Sequence, residues 1–230
     1  MQAVILAGGY GKRLGKISKK FPKSLIRINK IPFLKYQIDY LRQNNVKSIL
    51  MCLGYKNQMI KDYIKKNKFN NMKIDFSVEK KPLGTGGSLI LAEKKLQNFF
   101  LLIYGDSLLD INLKKFISKF KKSNKKSLIL IKKNNEKLIK SNIKIKGKNF
   151  FYEKKKPDKS FLYVDYGMMI INKLALKGFA KNKFMDFSEI LNLMIKNKDI
   201  RYNITKKSFY EIGTKLGIAR TVKYIKGLKK

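Results

Sequence analysis

Gly8, Gly9 and Gly11 stand within four residues of one another, followed by Lys12, Arg13 and Leu14 and then by Pro22-Lys23. Glycines let a backbone take φ > 0 and bring its N–H groups close to a ligand. Cations beside such a turn add fixed positive charge, and together these make a nest for phosphate oxygens. The turn directly follows the apolar run Val4-Ile5-Leu6-Ala7, which reads as a buried strand. A dinucleotide fingerprint would need a third glycine where Leu14 stands, and no Walker G-x-x-x-x-G-K-[ST] is present. On its glycines alone, the turn reads more simply as a tight surface turn in a lysine-rich chain.

Phosphate chemistry with a metal ion needs carboxylates, and the chain's 15 Asp+Glu are few enough to sort individually. Asp39, Asp62, Glu93, Asp110, Glu136, Asp158 and Asp199 fall on polar helix faces or in turns, where solvated charge is expected. Asp186 and Glu189 read as a capping box. Asp75 should face solvent on an alternating strand, and Glu79 precedes a second glycine cluster, Pro82-Leu83-Gly84-Thr85-Gly86-Gly87-Ser88. The remainder are Asp106, Glu153, Asp165 and Glu211, each at or near the end of an apolar strand. Asp106, straight after the run Phe99 to Gly105, has the position of a Mg²⁺ ligand at a sheet edge, with a turn cap as the competing reading. Glu211, ahead of Gly213-Thr214, reads equally well as a cap of the last helix. Histidine is absent, which excludes a Ser-His-Asp hydrolase.

Placing these residues falls to strands that alternate with helices. Val4 to Ala7, Ser48 to Leu53, Ile74 to Val78 and Phe99 to Tyr104 read as strands. Between them lie helical patterns through Leu34, Ile38 and Leu41, through Ile60, Tyr63 and Ile64, and from Leu89 to Leu96. That alternation implies βαβ units and a parallel sheet, whose ligands bind beyond the carboxyl ends of the strands. The Gly8 turn, the Gly84 turn and Asp106 all come near such ends. A helix capped by Asn112 and a strand Ser127 to Ile131 follow, then a hairpin around Gly147-Lys148 and a long strand Tyr163 to Ile171 containing Gly167. After the helix behind Asp186, a last strand should reach Tyr210-Glu211-Ile212, and Thr214 should cap a closing helix.

At 230 residues with 44% hydrophobic content, one α/β domain is expected, without a Pro/Ser-rich linker to divide it. Lys+Arg of 54 gives a net charge of +39. The lysines are spread along the whole length instead of forming one arm, so no specific nucleic acid is expected as a partner, only salt-sensitive stickiness. No apolar stretch approaches a membrane span, the N-terminus lacks the pattern of a signal peptide, and the single Cys52 fits a reducing compartment. A cytoplasmic protein with no membrane partner is the expectation, and the sequence does not choose between a monomer and a homodimer.

The longer pattern, G-G-x-G-x-R-L followed by P-K, resembles the signature of the sugar-phosphate nucleotidylyltransferases, or NDP-sugar pyrophosphorylases. Pro82 to Ser88 resembles the family segment that borders the nucleotide base, and Tyr104-Gly105-Asp106-Ser107 its G-D motif. Glu153-Lys154 resembles the E-K pair that meets the sugar phosphate, Asp165-Tyr166-Gly167 stands where members carry a glycine beside the sugar, and Tyr210 to Thr214 resembles the D-x-G-[ST] element. These elements appear in family order over nearly the whole chain.

The resemblance implies a Rossmann-like α/β fold with a mixed, mostly parallel sheet and helices on both faces, residues 1–125 serving the nucleotide and 126–230 the sugar phosphate. It implies Mg²⁺-dependent in-line attack of a sugar 1-phosphate on an NTP, releasing an NDP-sugar and pyrophosphate. The nucleotide is then expected on Leu6, Ala7, Gly8, Gly9, Gly11, Lys12, Arg13, Lys23, Pro82, Gly84, Thr85 and Asp106. Arg13 and Lys23 are the expected catalytic cations, and Asp106 and Glu211 the expected metal ligands. Glu153, Lys154, Asp165 and Gly167 are expected at the sugar phosphate, with Lys156 an alternative to Lys154. Two departures stand out: Lys12 replaces a small residue, and Glu211 replaces an aspartate. The chain is similar to the short members such as heptose-1-phosphate guanylyltransferases and MurNAc-1-phosphate uridylyltransferases, which implies a GDP-heptose-type product for surface polysaccharide. A cytidylyltransferase acting on a phospho-alcohol and a catalytically silent nucleotide-sugar binder are the competing readings.

Overall fold

A computed structural model describes residues 1–69, 71–135 and 139–227. Glu136, read above as a solvated acid, lies outside them. The chain begins with β1 (Gln2–Leu6), a short helix α1 (Lys16–Lys20) and a two-stranded hairpin of β2 (Arg27–Ile28) and β3 (Ile31–Pro32). Then come α2 (Phe33–Gln43), β4 (Ser48–Leu53), α3 (Asn57–Asn67), β5 (Lys73–Val78), α4 (Gly84–Leu91), β6 (Phe99–Tyr104), α5 (Leu113–Lys121) and β7 (Ser127–Lys133). The second part adds β8 (Ile143–Lys146), β9 (Asn149–Tyr152), β10 (Tyr163–Asn172), α6 (Phe187–Lys196), β11 (Ile200–Thr205) and α7 (Lys215–Gly227).

The main sheet runs β11-β7-β10-β6-β1-β4-β5, with the β8–β9 hairpin attached to β10. Pairings of β6, β1, β4 and β5 with one another are parallel, as is β7 with β11, while β10 runs antiparallel to both of its long neighbours. The expected mixed, mostly parallel sheet is therefore present. Alternating side chains of the central strands feed two cores. Val4, Leu50, Leu102 and Met169 pack under α4 and α6 with Leu89, Ile190 and Leu191. Ala3, Ile5, Met51, Leu101 and Met168 pack on the other face under α2 and α5 with Leu34, Ile38 and Phe116. Burial on both faces is why these strands read as continuous apolar runs. A third cluster, Leu14, Ile28, Phe33, Ile212 and Ile225, seats α7 against the β2–β3 hairpin.

Two expectations are corrected. The second glycine cluster is not a loop ahead of a helix: α4 starts at Gly84 itself. Glycine disfavours helix interiors, but here the absence of side chains at Gly86 and Gly87 lets the turn lie directly on the backbone of Lys183 to Asp186. The last strand also ends earlier than expected, at Thr205. Tyr210 to Ile212 runs alone, tied to the Asp106 region by a bridge between Ser107 and Glu211 and by the Ile212 N–H bond to the Asp106 carbonyl (3.0 Å). The capping box on α6 is as expected, and the Asn112 side chain caps α5. Thr214 Oγ1 accepts the Gly217 N–H (2.9 Å) in the first turn of α7.

Candidate active site

The carboxyl ends of β1, β5 and β6 open onto a cleft of about 600 Å³. Leu6, Ala7, Gly8, Gly9, Arg13 and Lys23 form one wall, Pro82, Gly84 and Thr85 a second, and Asp106, Lys154, Asp165 and Glu211 also reach it. Residues far apart in sequence meet here because parallel strands deliver their following loops to one edge of the sheet. Gly11, Lys12, Glu153 and Gly167 are not among the residues that line the cleft. Gly11 takes φ 66 with Lys23 packed where its side chain would be. Lys12 is exposed. The Glu153 carboxylate accepts the N–H groups of Lys155 (2.7 Å) and Lys156 (3.2 Å) and so holds its own turn. Of the two candidate lysines, Lys154 reaches the cleft and Lys156 is not among its lining.

Two of the cleft's cations already have carboxylate partners. Lys23 Nζ donates to Asp106 Oδ2 at 2.7 Å, and Lys154 Nζ to Asp186 Oδ2 at 2.5 Å. Burial raises the pKa of Asp186, yet its bonds from Lys154 and Ser188 outweigh that and hold it below the usual carboxylate range. Five of the chain's 15 acids (Glu79, Asp106, Asp165, Asp186 and Glu211) line the cleft, against Arg13, Lys23, Lys140 and Lys154. A protein of net charge +39 thus keeps a nearly neutral cleft.

Asp106 and Glu211 converge beside Gly213. A Cβ at Gly213 would stand 2.6 Å from Glu211 Oε2, 3.1 Å from Arg13 Nη2 and 3.2 Å from Asp106 Oδ2. The longer side chain of Glu211 lets its carboxylate also reach α7, accepting from the Gly213 N–H and, at 2.6 Å, from the Thr214 hydroxyl. Glu211 thus stands in neither expected role by itself: it lies beyond the last strand, and it holds Thr214, whose hydroxyl caps α7. Two hard-oxygen donors at one edge are the ligand type a small divalent cation takes, though among the described residues no third His, Cys, Asp or Glu joins them.

Asp165 lies at the floor. β10 shifts register against β7 between Asp165 and Met169, and Gly167 (φ 80) occupies the irregularity, where any side chain would collide with Ser107. The carboxylate of Asp165 accepts from the Tyr104 hydroxyl (2.7 Å) and the Gly167 N–H (2.8 Å). Burial pushes its pKa up to about 6 despite those bonds. A carboxyl that holds its proton more tightly folded than unfolded stabilises the fold most below its unfolded pKa, and that contribution is lost as pH rises through the folded one. Asparagine can keep both bonds by reversing the one to Tyr104. Asp165→Asn should therefore be more stable than the parent at pH 7 by about 2–3 kcal/mol. The gap should close towards pH 4, which denaturant melts at the two pH values would register; an equal gap at both would reject the assignment.

Sequence reasoning missed Glu79. It stands at the end of β5 with Oε2 accepting the Leu83 N–H (3.1 Å) and the Ser88 hydroxyl bonding the same carboxylate. Oε1 occupies the space where side chains at Gly8 and Gly54 would go. Burial raises its pKa above that of an ordinary glutamate, against the pull of those two bonds. The result is a slot between the Gly8 turn and the Gly84 turn with one carboxylate oxygen on its wall. The available signal was an acid three residues before Pro82, directly after the strand Ile74 to Val78.

A family model described as nucleotidyl transferase matches residues 2–219. The chain is 33% identical over 215 residues to the D-glycero-alpha-D-manno-heptose 1-phosphate guanylyltransferase of Campylobacter jejuni, covering 93% of this chain and 95% of that one. The crystal structure of HddC from Yersinia pseudotuberculosis complexed with GMP-PN superposes with a TM-score of 0.80 at 27% identity, covering 97% and 99% of the two chains. A glucose-1-phosphate thymidylyltransferase structure from Bacillus anthracis shares the fold with a TM-score of 0.83 at 18% identity, over 97% of this chain and 95% of that one. With its glycine turn, second cluster and strand-end acids gathered at one sheet edge, the chain belongs to the nucleotidyl transferase family, as a sugar-1-phosphate nucleotidyltransferase that condenses an NTP with a sugar 1-phosphate and releases pyrophosphate.

Proposed function

We propose that the nucleotide is GTP, that the acceptor is a heptose 1-phosphate of manno configuration, and that Mg²⁺ serves the reaction on Asp106 and Glu211. The observation that carries the choice of base is the Glu79 carboxylate in the slot between the two glycine turns. With the carboxylate held by Leu83 and Ser88, Oε1 can only accept. Guanine alone presents two adjacent donors, N1–H and N2–H₂, on its pairing edge. Adenine and cytosine place a ring acceptor beside their amino group, and uracil flanks its one N–H with two carbonyls. The heptose guanylyltransferase from Campylobacter jejuni and the GMP-PN complex of HddC support the same reading.

The reaction forms a bond from a sugar-phosphate oxygen to the α-phosphorus of GTP and breaks the bond to the β-phosphate. The attacking oxygen is anionic at neutral pH, so the chain needs no general base; it needs positioning and charge neutralisation. When bound, the metal ion would supply charge neutralisation on the phosphate oxygens. The Gly8 turn and Arg13 hold the departing pyrophosphate, Lys23 leaves Asp106 to stabilise the α-phosphoryl group, and Lys154 leaves Asp186 for the acceptor phosphate. Residues 1–125 supply most of the nucleotide contacts and residues 126–230 the acceptor contacts.

Pyrophosphate release measured for the four NTPs and dTTP against a panel of sugar 1-phosphates and phospho-alcohols tests this. The highest kcat/KM is expected for GTP with the manno-heptose 1-phosphate. A maximum with CTP and a phospho-alcohol would replace the reading, and no turnover with any pair would mark a silent binder.

A further inference from the structure

Phe184 is the most exposed large hydrophobic side chain among the described residues, at 73% of its surface, yet it lines the cleft. A loose loop does not explain that exposure. The Met185 N–H donates to the Leu83 carbonyl (2.8 Å), and the Met185 carbonyl accepts from Gly86 (3.0 Å) and Gly87 (3.2 Å). The Phe187 N–H donates to Thr85 Oγ1 (2.9 Å). The residues following Phe184 are thus pinned to the first turn of α4. Its ring edge lies against Gly84, where a Cβ would meet Phe184 Cε2 at 3.3 Å. Gly84 in turn adjoins Leu83, whose N–H holds the Glu79 carboxylate.

We propose that Phe184 is a specificity-determining residue that stacks on the purine of the bound nucleotide, covering the face of the base whose edge meets Glu79. This rests on the assignment of the Glu79 slot to the base. An apolar ring held in water by a fixed backbone gains nothing in the empty site, and a planar ligand beside Gly84 would remove it from solvent. Stacking is indifferent to hydrogen-bond pattern but grows with ring area, so Phe184 would favour purines over pyrimidines while Glu79 picks guanine from among them. The two residues come from distant parts of the chain and act on the same base through different forces.

Replacing Phe184 tests the stack without threatening the fold, because the side chain is already exposed. Phe184→Ala should raise the KM for GTP about 10–100-fold while leaving the KM for the sugar 1-phosphate within about twofold and the melting temperature unchanged. The chain contains no tryptophan, so Phe184→Trp installs a single reporter. The fluorescence of this introduced indole should fall saturably on addition of GTP alone and stay constant with the sugar 1-phosphate alone. Loss of affinity for the sugar phosphate with an unchanged KM for GTP would overturn the proposal by placing the ring over the acceptor. So would a constant indole signal in a variant that still turns GTP over. If the enzyme proves to use a different nucleotide and that nucleotide quenches the indole, the guanine assignment fails while the stack stands.

Discussion

Glu79→Gln is expected to lower kcat/KM for GTP by about 10²–10³-fold, with the KM for the sugar 1-phosphate unchanged. The amide cannot present itself either way round with equal ease, because the Leu83 N–H and the Ser88 hydroxyl fix where its oxygen must lie. Its NH₂ group then takes the place of Oε1 and faces the N1–H and N2–H₂ of guanine, donor against donor. Losing a charge-assisted bond costs about 1.5–3 kcal/mol, and leaving donors unpaired against the amide adds to that. Nucleotides that offer an acceptor at this place should gain relative to GTP, so the same NTP panel that ranks the wild type would show a changed order. An unchanged preference for GTP would remove Glu79 from base selection. The pH dependence gives an independent reading. Burial has raised the carboxyl above the ordinary glutamate range, so protonation should begin to weaken GTP binding at a higher pH than usual, and the glutamine variant should lack that limb.

Asp106→Asn should reduce kcat about 10²–10⁴-fold, several kcal/mol of transition-state stabilisation being what a correctly held cation supplies. Two losses combine there. The variant gives up one of the two carboxylates beside Gly213, and it removes the charged partner that holds Lys23 at 2.7 Å in the resting site. Folding should be almost unaffected, since the pair is partly solvated and the Asp106 backbone carbonyl still accepts from Ile212. Pyrophosphate release followed across a Mg²⁺ titration separates the two losses: raising Mg²⁺ should recover part of a metal defect and none of a lysine defect. Wild-type turnover at ordinary Mg²⁺ would dispose of the carboxylate's role altogether.

How much of this was readable from the residues depended on distance along the chain. The central strands were legible because burial on both faces leaves uninterrupted apolar runs, and the α6 cap was legible because Asp186 and Glu189 act within one turn. Where an element is shaped by something remote, local pattern failed. Gly84 to Gly87 looked like a loop because the contact that makes it a helix, with Lys183 to Asp186, comes from the far half of the chain. Tyr210 to Ile212 alternates like a strand but has only the Ser107 bridge beside it. The β2–β3 hairpin turns through Asn29 and Lys30 at φ 48 and 67 without a glycine to announce it. Glu79 is hidden for the same reason: in sequence it merely precedes the second glycine cluster, and only Gly8, Gly54 and Leu83 together make it a wall.

The strip Lys183 to Phe187 sets a condition on how such an enzyme can diverge. One side of it is bonded to the turn proposed above to border the nucleotide, and through Asp186 it also holds Lys154, proposed to take the acceptor phosphate. A substitution there displaces both substrates' surroundings at once, so its effect depends on what already occupies positions 83–87 and 154. Lineages that change acceptor through this strip would have to re-fit the base with it. New donor–acceptor combinations would then arise as matched sets of mutations, and single exchanges drawn from a relative with other substrates would tend to arrive as losses.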